Sequence, residues 1–265
     1  MTSNLSTRTI DLRLDNEVLH LTFNRPDVFN ALSTEMIGEL INVFSCIDEI
    51  GARLIVMRGA GGNFCAGADL GEMMALIDIA QKWDIEAIAG HNAEGGKLLA
   101  AVDKCPVPVV AILEGAVYGG GVGIACAVDI AVATSTVSFG LPETNLGLVP
   151  AQISPYVKRR VGESNARLIA LLGGRFDAAR AQELGMVHFL VNNEEQLGAV
   201  MTELIERILA SPPKALATAK QLMTGGIEAM DPVSLGALFA RHMISEEGQE
   251  GTSAFAEKRK PKWYR

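Results

Sequence analysis

Residues 114–130 read EGAVYGGGVGIACAVDI: three consecutive glycines, Gly119 to Gly121, stand between a strand-like apolar run and an alanine-rich helical one. Glycine inside a helix costs about 1 kcal/mol relative to alanine. A cluster at the start of a helix therefore answers a need for close backbone approach rather than for helix stability. The run before it, PVPVVAIL at 106–113, reads as a buried strand entered through prolines. Strand, glycine turn and helix in that order is the unit of a mixed α/β chain.

Working outward, the same unit recurs. RLIVMRG at 53–59 is a buried strand that leads through Gly59-Ala60-Gly61-Gly62 into GGNFCAGADL at 61–70, a second glycine-containing turn before a helix. Upstream, residues 9–26 alternate as two strands about a turn at Asp15–Asn16, with His20 as a strand histidine. Ser33 is expected to cap a helix that places Met36, Ile37, Leu40, Ile41, Phe44 and Ile47 on one face. Residues 72–98 read as helical but irregular, suited to a segment lying over a binding site. Downstream, DIAVAT and VSFG are short strands, and MVHFLV at 186–191 is one more. Asp177 is expected to cap a helix stopped by Gly185, and Asp231-Pro232 to open another. Strands and helices mix through residues 1–195; residues 196–265 are helical, and no Ser/Gly linker divides them. No period of 20 to 50 residues is visible by identity.

At 265 residues, 49% hydrophobic and 20% charged, the chain is globular and long enough for a sizeable core. A net charge of −8 repels phosphate backbones, which argues against nucleic acid as the principal partner. Basic residues do gather in EKRKPKWYR at 257–265, which suits either a solvated tail or a local anion contact. Four separated cysteines with no C-x-x-C pair speak against a metal or disulfide framework and for reduced thiols in a cytoplasm. MTSNLSTRTI lacks the apolar core of a secretory signal. Val107 to Val128, broken by Pro108, Glu114 and five glycines, is a poor membrane span.

A glycine-rich strand-to-helix turn often cradles phosphate. The dinucleotide pattern G-x-G-x-x-G fails here, because Ile124 or Cys126 falls where the third glycine belongs, and no G-K-[ST] follows. The other chemical use is to bring backbone N–H groups at a helix start against a developing oxyanion. Two such turns could give one N–H each to a single carbonyl oxygen, or both are tight packing corners. Spacing alone leaves these open.

Taken together, NRPDVFNAL (24–32), FCAGADL (64–70), GAVYGGGVGIACAVDIAVA (115–133), FGLPETNLGLVP (139–150) and EGTSAFAEKR (250–259) resemble the enoyl-CoA hydratase/isomerase (crotonase) family over essentially the whole chain. The resemblance implies an α/β fold, a spiral of ββα units with a helical C-terminal trimerisation region, and homotrimers or dimers of trimers. It implies an acyl-CoA thioester substrate and no further cofactor or metal. The carbonyl oxygen would meet the N–H groups of Ala68 and Gly120, with Gly119 beside them. Coenzyme A contacts would fall at Arg25, Val28 and Ala31, at Ala66, Asp69 and Leu70, and on a neighbouring subunit's Phe255 and Lys258.

Hydratases of this family usually carry two glutamates that hold the attacking water. The second is Glu143 of LPETNLG; the first position is Gly123. One carboxylate suits a double-bond isomerase that moves a single proton. It also suits a hydratase in which Glu143 handles the water alone. A scaffold that has lost catalysis is the reading of another class. VPAQISPYVKRRVGE (149–163) and SEEGQEGTSAFAEKRKPKW (245–263) resemble the branch hydrating 3-methylglutaconyl-CoA and isohexenylglutaconyl-CoA, in leucine or acyclic-terpene breakdown. Gly123 would then leave volume beside a branched acyl chain. Lys82, His91 and Lys97 are candidates to meet the distal carboxylate of such a substrate.

Overall fold

The computed structural model describes residues 6–225 and 231–264, so Met1–Leu5 of the N-terminal stretch and Arg265 of the basic C-terminal run lie outside the described residues. The chain opens with the hairpin β1 (Ile10–Asp15) and β2 (Val18–Phe23). Its turn is centred on Asn16 and Glu17, both at positive φ, one residue later than expected. Then come α1 (Thr34–Ser45), α2 (Ile47–Ile50), β3 (Leu54–Gly59), α3 (Leu70–Gln81) and α4 (Ile85–Asp103). Ser33 caps α1 by accepting from the Met36 N–H, and Met36, Ile37, Leu40, Val43 and Phe44 form its buried face. Ile47 falls in α2 instead. The irregular segment is two helices, broken at Trp83, whose φ of 57° no helix continues, and restarted by the Asp84 cap.

Next follow β4 (Val109–Leu113), β5 (Ala116–Tyr118), α5 (Gly120–Ala127), β6 (Ile130–Thr134), β7 (Ser138–Gly140) and α6 (Ser154–Leu172). The described residues close with β8 (Arg175–Asp177), α7 (Ala178–Glu183), β9 (Phe189–Val191), α8 (Glu194–Leu209), α9 (Pro213–Met223), α10 (Pro232–Ile244) and α11 (Glu246–Ala256). The caps expected at Asp177 and Asp231 are present. Two strands escape the sequence pattern. β5 and β8 have three residues each, too short for alternation to register; β8 holds the sheet edge by stacking Phe176 on Phe139, centroids 5.5 Å apart.

The larger sheet has the order β1-β2-β3-β4-β6-β9, parallel except for the first pair. All five residues of β4 are buried, as a parallel strand covered on both faces requires. One face packs on α1, α4, α5 and α6; the other carries Leu197, Met201 and Leu204 of α8. The smaller sheet, β5-β7-β8, is extended by two isolated bridges, Cys65 to Val117 and Leu32 to Ala68. Four strands of the large sheet thus lead to an extended segment in the small one and then to a helix: β2 to 30–32 and α1, β3 to 64–68 and α3–α4, β4 to β5 and α5, β6 to β7 and α6. This is a spiral of ββα turns. Its turns begin at Val18, Leu54, Val109 and Ile130, a spacing too uneven to appear as a sequence repeat.

Candidate active site

The site is built where the small sheet meets the start of α5. Segment 64–69 is not a single tight turn: it is irregular, with Gly67 at φ 93°, and makes one isolated β-bridge to each side in succession. Phe64 and Cys65 N–H groups donate to the carbonyls of Glu114 and Ala116, and the Cys65 carbonyl accepts from Tyr118. Ala66 N–H donates to Phe29 on the opposite side, where Leu32 N–H donates to Gly67 (2.7 Å) and Asp69 N–H donates to Leu32 (3.1 Å). Leu32 therefore bonds the residues on either side of Ala68. The Gly67 carbonyl faces Leu32, so across the planar trans peptide the Ala68 N–H is directed away from Leu32, and Gly67 itself lies against the start of α5.

Gly119 is the N-cap of α5, with φ 48° and ψ −113°, a backbone conformation in which a side chain is strained. Gly120 is the first helical residue, and its N–H is one of those a helix leaves without an internal acceptor. A Cβ on Gly121 would collide with the Cys65 carbonyl oxygen, and one on Gly67 would lie 3.5 Å from the Gly120 nitrogen. The glycines thus let α5 start hard against segment 64–69. Neither Ala68 N–H nor Gly120 N–H has an acceptor among the described residues. Ala68 is exposed and Gly120 half-buried, so the pair is open to a ligand. Cys65 lies behind them, its thiol pushed up to about 12 by burial, which makes it inert as a nucleophile.

Glu143 opens a single helical turn, Glu143–Leu146, which α6 holds from its C-terminal end. Thr144 Oγ1 donates to the Ala170 carbonyl (2.8 Å) and Asn145 Nδ2 to that of Gly173 (2.7 Å). The Glu143 carboxylate lies on Gly119: Oε1 is 3.0 Å from where a Cβ there would stand. Oε2 is buried and has no hydrogen-bond partner. Burial, with no cation against it, raises the carboxyl above its ordinary value of 4.5. Such an environment suits a group that both takes and returns a proton.

Gly123 lies one turn further along α5. A Cβ there would stand 3.2 Å from both Leu99 methyls and 3.3 Å from Ile153 Cγ1. The place of a first glutamate is therefore lined by apolar side chains of α4 and of the entry to α6.

Six of the expected coenzyme A positions form one patch. The Arg25 guanidinium pairs with Asp69 (2.8 Å) and donates to the Ala31 carbonyl (2.5 Å). Asp69 also caps α3 through the N–H groups of Gly71 and Glu72. Burial acts to raise its carboxyl, but the Arg25 bond and charge and these amides outweigh it and hold it below the ordinary value. Val28 and Leu70 are exposed beside this knot, and Ala66 bonds Phe29 within it. Sequence reading missed Asn30, fully buried at its centre: it accepts from Arg25 N–H and donates to the carbonyls of Ala60 and Asn63. An asparagine inside an otherwise apolar VFNAL run was the available signal. Phe255 and Lys258 are not part of this patch. They sit at the end of α11, which packs on α10, and Phe255 is 87% exposed. Among the described residues, no group of three His, Cys, Asp or Glu side chains is placed to hold a metal ion, and no helix is long and apolar enough to cross a membrane.

A model of the enoyl-CoA hydratase/isomerase family matches residues 13–265. The chain is 31% identical to the mouse (Mus musculus) protein called enoyl-CoA hydratase domain-containing protein 2, mitochondrial, over 98% of this chain and 91% of that one. Among solved structures, it is similar to Pseudomonas aeruginosa AtuE, at 40% identity and a TM-score of 0.92, covering 97% of this chain and 100% of that one. An enoyl-CoA hydratase/isomerase from Marinobacter aquaeolei, also at 40% identity, gives a TM-score of 0.88, covering 97% and 99%.

Proposed function

The chain belongs to the enoyl-CoA hydratase/isomerase family, with its crotonase fold and acyl-CoA thioester substrates, and from that premise we propose that it reversibly adds water across the double bond of a branched, carboxylated enoyl-CoA. Isohexenylglutaconyl-CoA and 3-methylglutaconyl-CoA are the substrates meant, in acyclic-terpene or leucine breakdown. The observation that carries the reading is the unpartnered carboxylate of Glu143 against Gly119, beside two backbone N–H groups that lack acceptors.

In this mechanism the thioester oxygen accepts from Ala68 and Gly120. Glu143 takes a proton from water as its oxygen bonds to C3, and the C2–C3 electron pair moves onto the thioester as an enolate. The two amides stabilise that charge; losing one such donor costs about 3 kcal/mol of barrier. Protonated Glu143 then delivers its proton to C2. No cofactor beyond the coenzyme A of the substrate is needed. Arg25, Val28, Ala31, Ala66, Asp69 and Leu70 hold the coenzyme A moiety, with Phe255 and Lys258 of an adjoining subunit in a homotrimer or dimer of trimers. Exposed Leu235, Phe239 and Met243 on α10 support such an assembly. Four free cysteines fit a cytoplasmic protein.

The test is loss of enoyl absorbance on the two named thioesters. Turnover of a 3-enoyl-CoA with none on either would favour the isomerase, which the apolar lining at Gly123 also fits because a single carboxylate suffices for it. Glu143→Gln removes activity under both readings. A protein inactive on every enoyl-CoA would instead be a binding scaffold.

A further inference from the structure

Among the described residues, no other residue donates a hydrogen bond to the Glu143 carboxylate, so its place is set by the backbone that carries it. Strand β7 and buried Leu141 deliver the chain to that point. The turn Glu143–Leu146 buries none of its own side chains, and Leu146 is exposed. Apolar packing therefore does not hold the turn. Its lateral ties are the two side chains that follow the acid, Thr144 on the Ala170 carbonyl at 2.8 Å and Asn145 on the Gly173 carbonyl at 2.7 Å. Ala170 lies in the last turn of α6, where carbonyls find no donor within the helix. Gly173 closes α6 at φ 61°, and a Cβ there would stand 2.7 Å from both Thr144 Oγ1 and Asn145 Oδ1. Only a glycine at that position lets both side chains sit on the helix end.

The same helix holds the other half of the site. Arg160 of α6 donates to the Cys126 carbonyl (3.3 Å) and to that of Val128, at the end of α5. Val157 and Val161 are buried on this first half of α6. After a break at Gly162, where φ is 77°, buried Ile169 anchors the second half, which ends on the Thr144 and Asn145 bonds. α5 opens with the Gly120 amide, and the far end of α6 carries the turn of the acid. α6 thus joins the element that presents the amide to the element that presents the carboxylate.

We propose that Thr144 and Asn145 are positioning residues: by bonding the C-terminal carbonyls of α6 they keep the Glu143 carboxylate seated on Gly119 and so fix its distance from the Gly120 amide. The inference rests on the proposed role of Glu143 and deepens it. Its first test needs no turnover. Carbon-13-labelled glutamate carboxyls are titrated by NMR in the full chain, and the Glu143 signal is identified by its loss in Glu143→Gln. In the native chain that signal titrates above 4.5, because burial raises it. In Asn145→Ala and in Thr144→Val it moves toward 4.5 as the carboxylate leaves its seat, whereas Thr144→Ser, which keeps the hydroxyl, titrates as the native chain does. The second test is hydration of 3-methylglutaconyl-CoA: kcat falls about 10- to 100-fold in Asn145→Ala and in Thr144→Val, as a small misplacement of a reacting group does. The Kd of butyryl-CoA, measured by calorimetry, is unchanged in both. Asn145 is exposed, and Thr144→Val carries the test if Asn145→Ala fails to fold. A Glu143 titration unmoved in both variants, or butyryl-CoA binding lost in step with kcat, would overturn the proposal. If the native chain hydrates no enoyl-CoA, the hydratase reading falls while the titration still decides this inference.

Discussion

Glu143 rests one carboxylate oxygen on the backbone of Gly119 and leaves the other buried without a partner. Its folded pKa is raised by burial, so the native state holds the proton more tightly than the unfolded chain. Its contribution to stability is full below about 4.5 and is lost as pH rises through the raised value. Glu143→Gln is therefore expected to melt higher than the native chain at pH 7, with the gap closing at pH 4. The same variant should lose about 10²- to 10⁴-fold in kcat. In the native chain, the acid limb of kcat should lie above the ordinary carboxylate range, measurable as a pH–rate profile. Gly123→Glu tests whether a second carboxylate can be put back. With Leu99 and Ile153 already 3.2 to 3.3 Å from the Cβ position, the longer side chain overpacks. Denaturant unfolding should register a loss of about 1–3 kcal/mol, with no gain in turnover.

At the scale of elements, α9 is tied to the sheet at one point. Lys220, 8% exposed, donates to Asp129 Oδ2 at 2.7 Å and to the Val107 carbonyl, while the same carboxylate accepts from the Val109 N–H. Lys220→Met removes the cation and leaves Asp129 half-satisfied, an expected cost of about 3 kcal/mol by chemical denaturation. Elements announced by a long periodic face or by a capping side chain were legible in the sequence: α1 from Ser33 and its apolar stripe, α7 from Asp177, α10 from Asp231. Strands β5 and β8 were not, because their assignment rests on partners distant in the chain, as Tyr118 with Gly140 or Phe176 with Phe139. At the site, the motifs singled out Ala68, Gly120 and Glu143, and the structure leaves the two amides without acceptors among the described residues and one Glu143 oxygen without a partner. What fills the space at Gly123 was hidden, since Leu99 and Ile153 reach it only through the packing of α4 and α6 on α5. The Asn30 knot was hidden for the same reason.

At the scale of the molecule, exposed Leu235, Phe239 and Met243, spaced one turn apart, give α10 an exposed apolar face. If self-association covers it, Phe239→Lys should shift the protein to monomer in sedimentation velocity, and native protein should run as a trimer or hexamer. Segment 64–69 carries a more general consequence. Its hydrogen bonds go first to residues 114–118 on one edge and then to 29–32 on the other, so the bonds that zip these stretches together also aim the Ala68 amide. The proposed anion receptor is thus not a loop added to a finished scaffold. It melts when the zipper melts, and loss of turnover in urea should coincide with loss of near-ultraviolet dichroism rather than precede it.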